Sequence, residues 1–206
     1  MARPTLTRAR VLEAAIELAD EAGVESLSMR TLGARLGVEA MSLYNHVANK
    51  DDVLGGIADL VWSGVDLAFD SPGWRDGVRR ISVSAHEALL AHPWACRVHN
   101  VRVGPSRLRY INAVLGHLRE GGFAADVAYH AHHTLDGHIF GYTLQVLDYA
   151  AGDQGATDAT QQLIASLADE LPWFTEHLRQ HEAGDVPGRG FEIGLDLILD
   201  GLERGL

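Results

Sequence analysis

The feature that most constrains the fold is a helical spacing of apolar residues that runs along nearly the whole chain. The segment "TRARVLEAAIELADEA", residues 7–22, places Val11, Ala15 and Leu18 on one stripe. This period of three to four residues is typical of an amphipathic helix. Thr7 can cap its start and Gly23 can end it. The chain shows no sustained alternation with a period of two, so the sequence predicts an all-α fold.

The same pattern predicts further helices over most of the remaining chain. Ser28 can cap a short helix "MRTLGARL", and Gly37 ends it. A third helix is expected to start near Glu39, and Asn49 can cap a fourth that runs to about Ala68. The later predictions are helices over 74–91, 105–120, 125–149, 158–181 with a break near Pro172, and 191–206.

The stretch "LGVEAMSLYNHVANKDDVL", residues 36–54, predicts a helix-turn-helix. A tight turn around Gly37 joins the second helix to the third. Leu43 and Val47 fall on the inner side of the third helix, whereas Met41, Ser42, Tyr44 and Asn45 project mostly outward. A recognition helix needs this division, because it must present hydrogen-bonding and planar groups while its inner side anchors it.

Several side chains here suit contacts with duplex DNA. Ser, Asn and Tyr can reach base edges or phosphates, and Met41 can touch a thymine methyl group. Arg30 and Lys50 lie near helix ends where phosphates would run, and the helix N-termini at Ser28 and Asn49 offer N–H groups to phosphate oxygens. The alternative is a three-helix cap that only packs on the rest of the protein.

Composition limits the class of protein without excluding DNA. The 206 residues carry a net charge of −11, but residues 1–50 are neutral, so the excess acid lies in residues 51–206. A single cysteine, Cys96, rules out an intrachain disulfide. No apolar run approaches the ~18 residues needed to span a bilayer, and the first twenty residues do not resemble a signal peptide. A soluble, cytoplasmic protein that does not enter the membrane is the expectation.

Residues 7–61, and residues 36–54 above all, resemble the TetR family of transcriptional regulators. The match to that family's "LGV–SLY-HV–NK–LL" pattern is specific, and residues 91–145 are similar to the C-terminal domain of its tetracycline-repressor-type members. The resemblance implies a DNA-binding domain over residues 1–49 and an effector-binding, dimerising domain over 50–206, with a helix at 50–68 linking them. It also implies which residues lie at or near the DNA: Ser28, Met29, Arg30, Met41, Ser42, Tyr44, Asn45, His46 and Lys50.

Two helices of the second domain are candidates for a subunit interface. Helix 125–149 is apolar on more than one side, and helix 191–206 has a leucine-rich face. Paired across a two-fold axis they would form a four-helix bundle, and the homodimer would read a palindromic DNA operator. The alternative is that both helices fill the core of a monomer.

Polar and aromatic residues of this domain are candidates to line a site for a small-molecule effector. The candidate ligand-binding residues are Trp62, Phe69, His86, His99, Tyr110, His133, His138 and Tyr142. The motif "HAHHTLDGH" raises the question of a metal, but no Cys pair and no His-Glu-x-x-His pattern accompanies it. No metal and no cofactor is therefore predicted.

The resemblance bears on the identity of the effector. His99 matches a histidine that helps to hold a magnesium–drug complex in tetracycline repressors. Gln145, however, stands where a carboxylate that supports the metal is expected, and Val65 replaces a histidine that contacts the drug. A different, more apolar effector is expected.

Gly55 and Gly56 fall inside the predicted fourth helix, where each costs about 1 kcal/mol relative to Ala. They either make the helix easy to reorient or permit close packing.

The leading hypothesis is a DNA-binding transcriptional regulator, a repressor released from its operator by the effector. The alternatives are a ligand-binding helical dimer without DNA activity and, less favoured, an enzyme. The sequence contains no G-x-S-x-G motif and no phosphate-binding loop, so it is not expected to be an enzyme.

Overall fold

The computed structural model describes residues 5–98, 103–151, 158–182 and 189–205. Within these ranges the chain forms helices and no strands, which confirms the predicted all-α class. Two short 3₁₀ turns, Val24–Ser26 and Pro93–Arg97, accompany the α-helices. The helices are α1 Arg8–Ala22, α2 Met29–Leu36, α3 Ala40–Leu43, α4 Lys50–Ser63, α5 Trp74–Ala91, α6 Pro105–Glu120, α7 Ala125–Ala151, α8 Asp158–Ser166, α9 Pro172–Glu182 and α10 Gly190–Arg204.

We call residues 1–49 the head and residues 50–206 the body. The described apolar core falls into two clusters. One joins the buried faces of α1, α2 and α3 to Val53, Ile57 and Val61 of α4 and to Trp94. The other joins α5, α6, α7 and α10 and begins at Trp62, the residue after Val61. Helix α4 therefore belongs to both cores.

Local capping and two glycines fix the head. The Thr7 side chain accepts the Arg10 N–H at the start of α1, and Ser28 and Thr31 exchange side-chain and backbone bonds in a capping box at the start of α2. Gly37 ends α2 with φ +66°, a left-handed conformation that favours glycine. A Cβ on Gly33 would lie 2.9 Å from the Val38 carbonyl oxygen, so this glycine allows the turn to pass close over α2.

The fourth helix is shorter than the sequence predicts. It ends at Ser63, five residues before Ala68, and Gly64 follows as its C-cap. Val65 and Ala68 are nevertheless buried in the body core, and Ala68 has φ +53°. The Asp66 carboxylate accepts the Ala68 N–H at 2.9 Å and binds Arg80 of α5 at 2.8 Å, and these bonds hold the chain in a turn rather than a helix.

Helix α10 has three different faces, two of which pack on the rest of the body. Phe191, Leu195 and Leu199 are buried in the core. An acidic face pairs with α5, where Arg75 binds Asp200 and Glu203, and Arg79 binds Glu192 and Asp196. The third face leaves Ile193 and Leu197 exposed. None of the described helices has the length and apolar character needed to cross a membrane.

Candidate functional site

The exposed surface of α3 carries the residues predicted to meet DNA. Leu43 and Val47 are buried in the head core and fix the helix from behind. Met41 is 74% exposed and Tyr44 is 46% exposed, and Asn45 is also exposed. Only Ala40–Leu43 is α-helical; hydrogen bonds from His46 N–H and Val47 N–H to the Leu43 carbonyl continue the segment as a turn. A short, firmly anchored element thus presents thioether, phenol and amide groups outward.

The flanking candidates differ in how freely their groups are presented. Arg30 is exposed, whereas Met29 is half-buried against the head core. Ser42, His46 and Lys50 are half-buried. The Ser28 hydroxyl accepts the Thr31 N–H, and the Asn49 side chain accepts the Asp52 N–H at 2.8 Å. These amides are already bonded, so only the earlier N–H groups of α2 and α4 are candidates for phosphate contacts.

A brace between Arg8 and Asp52 holds the segment that follows α3, and the sequence analysis missed it. The Arg8 guanidinium binds both oxygens of Asp52 at 2.7 and 2.8 Å, and also reaches the His46 carbonyl oxygen at 3.3 Å. The Ala48 N–H donates to the same carboxylate at 2.8 Å. These bonds lower the pKa of Asp52 to about 2, and the bond from Arg8 has the largest effect. The brace therefore ties the starts of α1 and α4 to the α3 turn.

A second contact joins the head to the body away from α4. The Trp94 indole N–H donates to the Asp20 carboxylate at 2.6 Å, and His92 Nδ1 lies 3.0 Å from the same oxygen. Trp94 itself is buried in the head core. Asp20 on α1 is thus held by two residues that follow α5.

In the body, three of the predicted ligand residues surround Phe191. The His86 and His138 rings stack on the Phe191 ring with centroid distances of 4.0 and 4.8 Å, and Tyr142 lies edge-on at 5.8 Å. The Thr143 hydroxyl donates to the Ile139 carbonyl, so it accepts the 2.7 Å bond from His86 Nδ1–H. Burial, and secondarily the neighbouring His138, lower the pKa of His86 to about 4. His86 is therefore neutral at physiological pH.

Two further predicted residues, Trp62 and Tyr110, belong to a second group. We call Trp62, Arg107, Tyr110, His132, Asp136 and Phe140 the arginine cluster. The Arg107 guanidinium lies over three of its rings, and Asp136 accepts hydrogen bonds from Arg107 and from the Tyr110 hydroxyl. The candidate ligand-binding residues chosen from the sequence did not include Arg107, His132 or Asp136.

The structure does not bring the remaining candidates into either group. Phe69 is 81% exposed on the loop after α4, because that helix ends early. His133 is exposed on the outer side of α7 against Tyr129, while its neighbour His132 faces inward. Phe69 and His133 therefore lie outside both groups, and their part in ligand binding stays a prediction. His99 lies outside the described residues.

Two residues differ from those expected in a tetracycline-binding site, and the structure shows where both lie. Val65 is buried in the body core, and the Gln145 side chain is exposed. Among the residues that the structure describes, no three His, Cys, Asp or Glu side chains are grouped as they would be around a metal ion.

A helix-turn-helix head with an exposed polar face, carried on a helical body that buries a few polar side chains in an apolar core, is the architecture of a transcriptional regulator that senses a ligand. Comparison with known proteins agrees. Residues 11–57 match the bacterial regulatory proteins of the tetR family, and residues 70–206 match the tetracyclin repressor-like C-terminal domain.

Three similar proteins illustrate the match. The tetracycline repressor protein class A from transposon 1721 of Escherichia coli is 34% identical over 94% of this chain and 89% of its own length. The transcriptional repressor DrrR1 of Streptomyces coeruleorubidus is 32% identical over 98% of this chain and 78% of its own length. The TetR family protein ActR of Streptomyces coelicolor, solved in complex with actinorhodin, superposes with a TM-score of 0.76 at 29% identity, covering 98% of both chains.

The chain belongs to the TetR family of transcriptional regulators. Members of this family are regulators of transcription and not enzymes, so the enzyme alternative falls away.

Proposed function

We propose that this protein is a homodimeric repressor that binds a palindromic DNA operator through α3 and is released by a small organic effector bound in the body. The observation that carries the proposal is the exposure of Met41, Tyr44 and Asn45 directly over the buried anchors Leu43 and Val47. Such a surface has no packing role within the head. It supports DNA contact by these three residues, flanked by Ser28, Met29, Arg30, Ser42, His46 and Lys50. The proposal implies action in the cytoplasm, where bacterial DNA lies.

Two separate core clusters, which meet at Val61 and Trp62, support a division into two domains. The boundary proposed from the sequence, 1–49 and 50–206, lies at the start of α4, before this meeting point. Because α4 contributes to both clusters, a ligand that shifts the body side of α4 also acts on the head side. The effector must bind the DNA-incompetent arrangement more tightly, since equal affinity for both arrangements shifts neither.

A homodimer is supported by the exposed apolar faces of two helices. On α10, Ile193 and Leu197 are 58% and 67% exposed. On α7, a Cβ on Gly137 or Gly141 would meet no described atom within 4 Å, so a partner helix could approach closely there. Two copies of this pair of helices would make a four-helix bundle.

The effector of this chain is proposed to differ from a magnesium–tetracycline complex. Val65 is buried where a histidine would contact the drug, and the exposed Gln145 stands where a carboxylate would support the metal, so this chain lacks both groups. The two interior groups around Phe191 and Arg107 instead offer aromatic rings and a few polar atoms, which is the usual lining of a site for a small organic molecule.

Fluorescence-anisotropy titration of the protein against its own upstream DNA tests the proposal. Tyr44→Ala is expected to weaken specific binding by about 1–3 kcal/mol, the range for one good base contact. Phe69→Ala is the matched control, because it removes an exposed ring far from the head. Full operator affinity in Tyr44→Ala would reject α3 as the reading element, and no specific binding in the wild type would favour a ligand-binding dimer without DNA activity.

The dimer is tested by sedimentation velocity of Leu197→Glu. A charge in the proposed interface should convert the dimer to monomers, whereas Leu108→Glu, at a comparably exposed leucine of α6, should not. The proposed dimer would be rejected if the wild type sediments as a monomer, or if Leu197→Glu still forms a dimer that dissociates no more readily than that of the wild type.

A further inference from the structure

The segment that follows α3 is held by directional bonds on both sides of one buried residue, Val47. The residue before it, His46, accepts a bond from Arg8 Nη1 at its carbonyl oxygen, at 3.3 Å. The residue after it, Ala48, donates its N–H to Asp52 at 2.8 Å. Arg8 and Asp52 join each other through two bonds of 2.7 and 2.8 Å. The brace therefore closes a ring of hydrogen bonds around the backbone at Val47.

This hold matters because α3 is too short to fix its own orientation. Only one turn, Ala40–Leu43, is α-helical, and a helix of this length is not stable in water without tertiary contacts. The buried side chains of Leu43 and Val47 keep the segment against the core, but apolar burial is non-directional. Hydrogen bonds to backbone atoms are directional, so the brace fixes how Tyr44 and Asn45 are turned toward solvent.

The start of α1 reaches the brace because α4 carries a glycine at this point. A Cβ on Gly56 would lie 2.7 Å from Leu12 Cδ2 and 3.4 Å from Arg8 Nη2. The glycine thus leaves room for two side chains of α1 against α4. The Asp52 N–H is bonded in turn by the Asn49 side chain at 2.8 Å, so the carboxylate of the brace is fixed at the capped end of α4.

Stability and charge do not account for the brace. Its two side chains are 45% and 31% exposed, and ion pairs at such sites stabilise a fold little. A carboxylate beside a surface that meets phosphates also weakens the attraction to DNA. A bidentate pair between an arginine and a carboxylate has a defined geometry, however, and this geometry is what the pair supplies to the segment after α3.

We propose that Arg8 and Asp52 are positioning residues for operator recognition, which act through α3 and not by base contacts of their own. They hold the backbone around Val47 so that Tyr44 and Asn45 meet the bases in one fixed orientation. This inference rests on the proposed function, because it takes α3 as the reading element. It adds that an acidic residue of the head is needed for selective binding to a polyanion.

Two neutralised aspartates separate position from charge. Asp52→Asn removes one negative charge and the ionic partner of Arg8, whereas Asp51→Asn removes the same charge from an exposed neighbour outside the brace. If charge alone mattered, both variants would bind DNA more tightly than the wild type. We expect Asp52→Asn instead to bind the protein's own upstream DNA about tenfold more weakly, the equivalent of one good base contact. Asp51→Asn should bind at least as tightly as the wild type.

Fluorescence anisotropy with two duplexes supplies a readout that a purely stabilising role would not change. A scrambled duplex of the same length and base composition measures binding to phosphates alone. The ratio of the two affinities should fall about tenfold in Asp52→Asn and should stay at the wild-type value in Asp51→Asn. All titrations are run at a temperature where melting curves show each variant folded. An unchanged ratio in Asp52→Asn would overturn the proposal.

Arg8→Lys tests the geometry at constant charge. Lysine cannot bond both oxygens of Asp52 as a planar fork, so the affinity ratio should fall about threefold or more. Arg10→Lys makes the same exchange outside the brace and should leave the ratio unchanged. An unchanged ratio in Arg8→Lys would overturn the role assigned to Arg8. If Asp52→Asn does not fold, Arg8→Lys decides the proposal.

Hydrogen exchange of the free protein tests the hold on the segment without DNA. The Ala48 amide should exchange about threefold or more faster in Asp52→Asn and Arg8→Lys than in the wild type, and no faster in Asp51→Asn. Unaltered exchange in both brace variants would overturn the proposal. A wild type that binds the two duplexes equally would refute the proposed repressor function, and the exchange rates would still decide whether the brace holds the segment.

Discussion

The head and the body both bury an apolar core, but they differ in the polar side chains that they bury with it. The described core of the head consists of apolar side chains such as Leu32 and Leu43, and its polar groups lie at the surface. In the part of the body that the structure describes, the interior includes Ser82, His86, His132 and Thr143. A recognition element needs a rigid support and outward chemistry, whereas a sensing domain needs polar atoms facing inward. The contrast therefore matches a division of labour between reading DNA and binding a ligand.

The largest effect on the free energy of unfolding is expected from Leu43→Ala, which removes a buried side chain that anchors α3 in the head core. Leu43 is fully buried behind Tyr44, and deleting such a side chain costs about 2–5 kcal/mol. Urea unfolding should show this loss, and operator binding should fall with it. Met41→Ala, on the exposed side of the same helix, should change stability by no more than about 0.5 kcal/mol. Equal destabilisation by both variants would contradict the inside–outside division of α3.

The second effect tests the polar interior of the body through pH. His86 has a folded pKa of about 4, below its ordinary value near 6.5, so the unfolded state takes up a proton first as the pH falls. Stability should therefore decrease from pH 6.5 down to about pH 4 and stay level, for this group, below that. The loss is about 3 kcal/mol, because each pKa unit corresponds to about 1.4 kcal/mol. Urea midpoints measured against pH should show this decrease in the wild type.

His86→Gln isolates that contribution, because glutamine can still donate to Thr143 but does not titrate. Its stability relative to the wild type should rise as the pH falls through this window. His133→Gln, at an exposed histidine, should run parallel to the wild type. If stability depends on pH in the same way in all three proteins, water reaches His86 more readily than its burial indicates.

A smaller effect, about 1.5 kcal/mol, is expected where the head and the body touch. Asp20→Asn removes the charge that accepts bonds from Trp94 and His92, and this site is partly exposed, so the low end of the range for charged hydrogen bonds applies. Thermal unfolding of Asp20→Asn, with exposed Glu13→Gln as the control, measures it. No difference between the two variants would mean that the Asp20 charge contributes nothing to the junction between head and body.

The smallest effect is expected from Gly56→Ala. Its Cβ would lie 2.7 Å from Leu12 Cδ2, at the tip of a flexible side chain, so the packing cost should roughly offset the gain in helix propensity, within about 1 kcal/mol. This supports close packing as the role of Gly56. A double-mutant cycle with Leu12→Val should reveal coupling between the two sites. If the cycle shows no coupling with Leu12 and effector release is blunted, the alternative hypothesis of an easily reoriented helix gains.

Most of the fold could be predicted from periodicity and capping residues, as α1, α2, α5 and α6 illustrate. The end of α4 could not, because Val65 and Ala68 keep helical spacing although the chain has already turned. The outward face of α3 was predictable because its buried and exposed residues alternate clearly around one short turn.

The ligand site was less predictable. Arg107 and Asp136 stand 29 positions apart, and charged residues on helices usually face water, so nothing in the sequence pairs them. Helix α7 is apolar on more than one side, and spacing alone therefore does not tell whether His132 or His133 faces inward. Such assignments depend on how helices rotate against one another, which local sequence does not encode.

The location of Trp94 has a consequence for building chimaeric regulators. A head grafted from a relative would naturally be spliced within α4, between Val61 and Trp62, where the two cores meet. That splice would leave Trp94, encoded well downstream, facing the α1 of another protein in place of the one that carries Asp20. A functional graft should carry Asp20, His92 and Trp94 as one transferable set, although more than seventy positions separate the first from the last.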